Sequence, residues 1–269
     1  MINILLITTT IYGEETELNL TRLFNSIKVS NNFSIKHVVL FQGVTAKPTF
    51  KLPDYVEAQF IPKVVSLSKA RNIMLESEMK NIEKYDLVAF PDDDCWYPMN
   101  NFEDLINLFY SEKLDYLVTK YRFSEHDEVP SSILKIRKKS VFKFFEFSSS
   151  ITIFVTGKIF KEIGCFDERL GVGAKFVGGE DLDYSINAYY RSKNRSFLDL
   201  YLMAHKDRNI TNKLKYYEGS LFVFAKNFHH SSVIRSLLLR KLAVGIYYVC
   251  KKRMNLIDYF SIIKKVFKC

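Results

Sequence analysis

The sequence predicts an α/β protein: a mixed, mostly parallel sheet flanked by helices, followed by a C-terminal helical extension. Two observations lead there. Short apolar runs alternate with segments whose apolar residues recur at helical spacing, as in parallel strands joined by crossover helices. Beyond Tyr217 the alternation stops, and three helix-like segments follow one another. We therefore expect an α/β domain over residues 1–217 and a basic helical extension over 218–269.

Residues 2–9 read as a first strand; they lack the basic stretch and small-residue cleavage site of a signal peptide. Residues 15–29 follow as a helix with Leu18, Leu20, Leu23, Phe24 and Ile27 inward. Strands are expected over 35–41 and 56–61, and a helix over 69–81 with Ser66 or Ser68 as its N-cap. Val88, Ala89 and Phe90 form a short buried strand bounded by Pro91. A helix over 101–111 and a strand over 114–119 come next, then a polar, basic excursion loop over 125–140. Residues 149–155 alternate as a strand, 158–163 form a short helix, 180–192 a longer one, and 197–204 a late strand. The extension holds helices over 221–228, 233–249 and 256–267. In the last, Leu256, Phe260, Ile263 and Phe267 share one face, and Asp258, Ser261, Lys265 and Lys268 another.

Composition narrows the function classes. The chain has 269 residues, 48% hydrophobic and 15% aromatic, which suits a packed core and excludes a disordered chain. No stretch approaches the roughly 20 apolar residues that cross a bilayer. The net charge of +9 is uneven. Residues 206–269 hold 14 Lys and Arg against 3 acids, while the first 205 residues hold 25 against 27. Such a tail suits an anionic membrane, nucleic acid or plain solvent. Four scattered cysteines without a Cys-x-x-Cys pair argue against zinc and fit a reducing cytoplasm. Cys95 sits beside acids that raise a thiol's pKa, so it is no nucleophile.

The chemistry concentrates in three segments. Asp92, Asp93 and Asp94 follow the short strand directly, at the sheet edge where open α/β sheets bind ligands. Like-charge repulsion among three carboxylates calls for a cation, and hard divalent ions share their shell between a few carboxylates and phosphate oxygens. Downstream, Gly178-Gly179-Glu180-Asp181-Leu182-Asp183 opens a helix with acids in its first turn, where the macrodipole favours them. Upstream lies Ser66-Leu67-Ser68-Lys69-Ala70-Arg71-Asn72.

Together with Ile163-Gly164-Cys165-Phe166-Asp167-Glu168-Arg169-Leu170, these segments resemble the inverting family 2 glycosyltransferases of the GT-A (Rossmann-like) fold, over about residues 2 to 210. That family shows an LSxARN segment, an Asp-x-Asp element ending a strand, an "iGgFDErl" lead-in and a GEDxD segment. The resemblance implies transfer of one sugar, with inversion, from a nucleotide-diphosphate-sugar, a UDP-sugar by preference, to a hydroxyl of a saccharide or lipid-linked acceptor. The setting it implies is bacterial surface-polysaccharide synthesis in the cytoplasm, peripheral on the inner face of an anionic membrane.

The resemblance also assigns residues. Asp94 and Asp92 would hold Mn²⁺ or Mg²⁺ with His205, and an imidazole suits Mn²⁺ better. Asp92 or Asp93 would face the donor, and which two of the three acids act stays open. Thr8, Thr9 and Thr10 occupy the nucleotide edge; Ser68 and Arg71 would reach the donor. Gln42 stands where the family commonly has an acid on the nucleotide base, which weakens the uridine preference. Asp181 is the expected base, with Glu180 orienting the acceptor beside Gly178, Gly179 and Trp96. No Gln-x-x-Arg-Trp element occurs, which speaks against a processive synthase. The competing classes are a metal nuclease or nucleic-acid binder, disfavoured because the basic excess avoids the acid-bearing domain, and an idle scaffold of the same fold.

Overall fold

Parallel pairing of three N-terminal strands sets the architecture. β1 (Ile2–Ile11) lies between β2 (Phe33–Gln42) and β4 (Leu87–Ala89), and β3 (Val56–Ile61) adds outside β2, all parallel. β7 (Ile153–Val155) joins β4 antiparallel and β6 (Tyr116–Arg122) joins β7 antiparallel. β8 (Arg195–His205) runs parallel to β6, and the two-residue β5 (Cys95–Trp96) closes that edge antiparallel. The eight-stranded order is β3-β2-β1-β4-β7-β6-β8-β5. This computed structural model describes residues 1–27, 31–45, 50–122, 141–206 and 214–268. The excursion loop expected over 125–140 lies outside them.

Strand alternation divides the core in two. Ile4 and Leu6 of β1 face one apolar cluster, Leu5 and Ile7 the other. The first cluster is covered by α1 (Thr16–Ser26) and α3 (Asn101–Ser111) through Leu20, Leu23, Phe102 and Leu105. The second takes α2 (Leu67–Glu78), α4 (Val141–Glu146), α5 (Gly157–Ile163) and α6 (Glu180–Arg191). α7 (Tyr217–Lys226), α8 (Ser232–Cys250) and α9 (Leu256–Phe267) pack on this same side: Tyr217, Leu221, Ile234 and Tyr259 join the cluster that contains Leu5 and Val88. Gly245 lets α8 approach closely, since a Cβ there would meet the Tyr217 hydroxyl at 2.1 Å and the Tyr259 ring at 2.3 Å.

Three local departures from expectation have physical causes. Leu18 is 70% exposed, because it lies about two helical steps of 100° from buried Leu20. Residues 150–152 form a 3₁₀ turn, not strand, because Ser149 and Thr152 satisfy each other's backbone amides in a capping box. Short β5 carries no periodic signal of its own; its partner strand creates it.

Candidate active site

The acid turn hangs from β1. Because β1 and β4 are parallel, Thr8 to Thr10 near the end of β1 and Asp92 to Asp94 after β4 lie at the same end of the sheet. The Thr8 hydroxyl donates to the Pro91 carbonyl at 2.8 Å, so its 2.8 Å contact with His37 Nε2 must be donated by the ring. His37 Nδ1 is then a buried acceptor without a partner, and burial pushes this imidazole down to about 3. Thr10 donates to Asp93 Oδ2 at 2.6 Å. Asp93 is thereby engaged with β1.

Asp92 and Asp94 instead meet His205. The β5–β8 register pairs Cys95 with His205, and the Lys206 amide donates to the Asp94 carbonyl at 3.1 Å. His205 Nε2 lies 3.0 Å from Asp94 Oδ1 and 3.8 Å from Asp92 Oδ2. One donor atom from each of the three residues lies within 4.8 Å of the others. The set fits a divalent ion: two carboxylate oxygens and an imidazole nitrogen are borderline-hard donors that accept Mn²⁺ and Mg²⁺. His205 Nδ1 contacts the Lys206 carbonyl at 2.7 Å; donating its proton there, the ring turns Nε2 toward the acids, the usual support of a ligating histidine. Burial opposes a charge on this ring, but hydrogen bonds to Asp92 and Asp94 prevail and raise it to about 10. Proton and metal ion would compete for the same place. Cys95 is fully buried, and burial, then Asp92, push its thiol well up.

The second acid cluster is joined to the first through α2. Ser68, Arg71 and Asn72 share one helical face by their i, i+3, i+4 spacing. Ser68 donates to the Leu170 carbonyl at 2.6 Å, and Asn72 exchanges hydrogen bonds with the Phe166 backbone at 2.9 and 3.0 Å. Between them Arg71, 2% exposed, donates to Asp181 Oδ1 at 2.9 Å and lies 3.6 Å from Asp92 Oδ1. A permanent cation thus joins the acids of the strand-end turn to those of α6. Burial disfavours charge on Asp181 and raises its pKa against the pull of Arg71. Glu180 is 7% exposed, its Oε2 has no hydrogen-bond partner, and burial followed by the Asp181 charge raises it to about 7. Asp181 keeps 20% of its side chain exposed.

The start of α6 is rooted in the extension. Gly178 and Gly179 have φ of +75° and +89°, and a Cβ on Gly178 would meet the Tyr216 ring at 2.5 Å. They pack on the first turn of α7, where Gly219 in turn has no room for a Cβ against the Gly178 carbonyl. The last acid of the motif, Asp183, binds Lys226 at 2.8 Å and Asn227 at 2.7 Å, so it holds α7 to α6.

Other expected contacts are committed within the protein. The Gln42 amide donates to Thr9 at 2.7 Å and accepts from the Val65 amide at 2.9 Å. Trp96 is 9% exposed, and the Arg22 guanidinium covers its ring at 3.3 Å. The structure adds Ser150, whose hydroxyl donates to Asp92 at 3.0 Å and whose amide bonds Asp181. It also adds Tyr121, close enough for Asp92 and Asp181 to raise its phenol after burial has done so. Neither carried a sequence signal: Ser150 is the last of three serines, and Tyr121 lies beyond the strand expected over 114–119.

No protein-family model and no curated protein matches the chain. Solved structures do. TarS residues 1–349 of S. aureus in complex with UDP-GlcNAc superposes with a TM-score of 0.70 at 16% identity, covering 98% of this chain and 80% of that one. A longer S. aureus TarS chain gives 0.63 at 16% identity over 89% of this chain, which spans only 43% of it. GalNAc-T7 with UDP, GalNAc and Mn²⁺ gives 0.54 at 12% identity, covering 83% of this chain and 48% of that one. At such identities the likeness carries the fold. The chain has the GT-A-like fold that its motifs led us to expect.

Proposed function

We propose that this protein is a metal-dependent inverting glycosyltransferase that moves one sugar from a nucleotide-diphosphate-sugar to a hydroxyl of a saccharide or lipid-linked acceptor. One observation carries the reading: two acid clusters 88 positions apart meet across buried Arg71, and one of them is a three-residue candidate cation site. A nuclease would want free basic residues around those acids, and Arg71, the cation between them, is already paired. Fold neighbours bound to UDP-GlcNAc, UDP and Mn²⁺ support a UDP-sugar donor and Mn²⁺ or Mg²⁺.

Asp92, Asp94 and His205 would hold the ion, which supplies Lewis-acid stabilisation of a departing diphosphate. The chain's own residues do the rest. Asp93, fixed by Thr10, faces the donor beside Thr9. Asp181 accepts the acceptor hydroxyl's proton as attack proceeds on the face opposite the leaving group, the geometry inversion requires. Arg71 and the Ser150 amide orient Asp181 and pull its pKa back down against burial. Glu180, buried behind it, orients the acceptor.

A thermal-shift panel of nucleotide-sugars with and without Mn²⁺ tests this. A UDP-sugar should raise the midpoint only with the ion present, since a ligand stabilises the state it binds. No shift with any nucleotide-sugar would overturn the reading.

A further inference from the structure

α9 leaves a row of large apolar side chains on the outside. Leu256, Ile257, Phe260 and Phe267 are 56%, 81%, 58% and 56% exposed, while Tyr259 and Val266 on the other side are buried. Lys265, from the polar face, points into the protein: it binds the Lys175 carbonyl at 3.0 Å and Glu218 at 2.6 Å. A surface helix ordinarily buries its apolar stripe and shows its charges. α9 does bury such a stripe, with half-buried Ile262 and Ile263 packed beside Tyr259 and Val266, but it shows a second apolar row to the outside as well. Neighbouring α8 also leaves Leu239, Ile246 and Tyr247 more than half exposed.

Around this stripe the charge is almost all of one sign. Residues 231–269 hold nine Lys and Arg and one acid, Asp258. Lys251, Lys252 and Arg253 sit exposed in the turn just before α9, and Lys264 and Lys268 are exposed along it. Neither helix is long and apolar enough to span a membrane. An outward apolar face with a basic rim is the form that lies in a lipid interface. A soluble protein partner would need no such one-signed rim.

We propose that α9, with the basic turn before it, seats on the anionic surface of a lipid bilayer. The seat adjoins the loop that leads to the second acid cluster. Lys265 rests over the Phe176 ring at 4.9 Å, Phe176 stacks on Phe222 of α7 at 4.1 Å, and Phe176 lies in the loop leading to Glu180. Resting on the transferase reading, this makes the acceptor a membrane-borne hydroxyl, presented to Asp181 from the headgroup side.

Co-sedimentation of the full chain with vesicles tests the seat without donor, acceptor or metal. Wild type should pellet with phosphatidylcholine vesicles containing phosphatidylglycerol, less with phosphatidylcholine alone, and less again in high salt. The triple variant Lys251→Glu, Lys252→Glu, Arg253→Glu should bind the anionic vesicles on the order of 100-fold more weakly. Leu256→Ser with Phe260→Ser should also release the protein. These side chains are exposed, so melting temperature and any nucleotide-sugar thermal shift should stay at wild-type values. Wild type that never pellets, or variants that pellet as it does, would overturn the proposal. So would a wild-type dimer in light scattering that the Leu256→Ser, Phe260→Ser pair converts to monomer, because a second copy would then cover the face. Retained donor binding beside absent vesicle binding would reject the seat and leave the transferase standing.

Discussion

The two acid clusters solve the same electrostatic problem in opposite ways. Asp92 and Asp94 are balanced by His205, whose charge is a proton that can leave and yield its place to a metal ion. Asp181 is balanced by Arg71, whose charge cannot leave. The first cluster is made by a strand register and opens to a cation. The second is rooted through Gly178, Gly179 and Asp183 in the extension. The exchangeable counter-charge belongs where a ligand must bring its own positive ion, and the fixed one where a carboxylate must be ionised before it takes a proton.

Removing one side of that contrast should show it most strongly. Asp94→Asn is expected to lower turnover on the order of 1,000-fold, the scale of a lost Lewis acid, and to abolish the Mn²⁺-dependent part of any thermal shift. Asp181→Asn should cost about 100- to 10,000-fold in kcat, the range of general-base catalysis, while the Mn²⁺-dependent shift survives. Steady-state rates and thermal shifts on the same preparations separate the two. If both variants lose the metal response, the clusters are one site and not two.

Stability measurements sharpen the comparison further. Arg71→Met strands Asp181 and Asp92 without their buried cation and should destabilise the fold by about 3–5 kcal/mol in urea titration. A smaller effect belongs to Glu180, whose pKa is about 7 in the fold against an ordinary glutamate value of 4.5. The native state therefore holds this proton where the unfolded chain has released it. Stability contributed this way is full below about pH 4.5 and is lost as pH rises through 7, at most about 3 kcal/mol. Wild type should lose stability relative to Glu180→Gln between pH 5 and 8; parallel pH profiles would show that Glu180 is not held protonated.

Much of this was legible before any coordinates. The α/β alternation placed most strands and helices, and the acids after a short strand placed the cleft. Asp92, Asp94 and His205 come together as the motif resemblance implied. The remainder depended on partners distant in sequence. Arg71 read as a donor-binding residue because nothing local says that Asp181, 110 positions away, will meet it. Ser150 had no readable role, because its partners Asp92 and Asp181 come from other elements. Trp96 looked like a sugar platform until Arg22 covered it.

What the amino-acid sequence determined alone is the local chemistry: where strands and helices run, which carboxylates crowd together, and that the last helix has one apolar face. Only the tertiary structure decided which way that face turns, that Cys95 pairs opposite His205, and that a single buried arginine separates the two groups of acids. The reason is physical. Periodicity and charge are properties of neighbours along the chain, whereas orientation, register and ion pairing are chosen by the free energy of all the surfaces that meet.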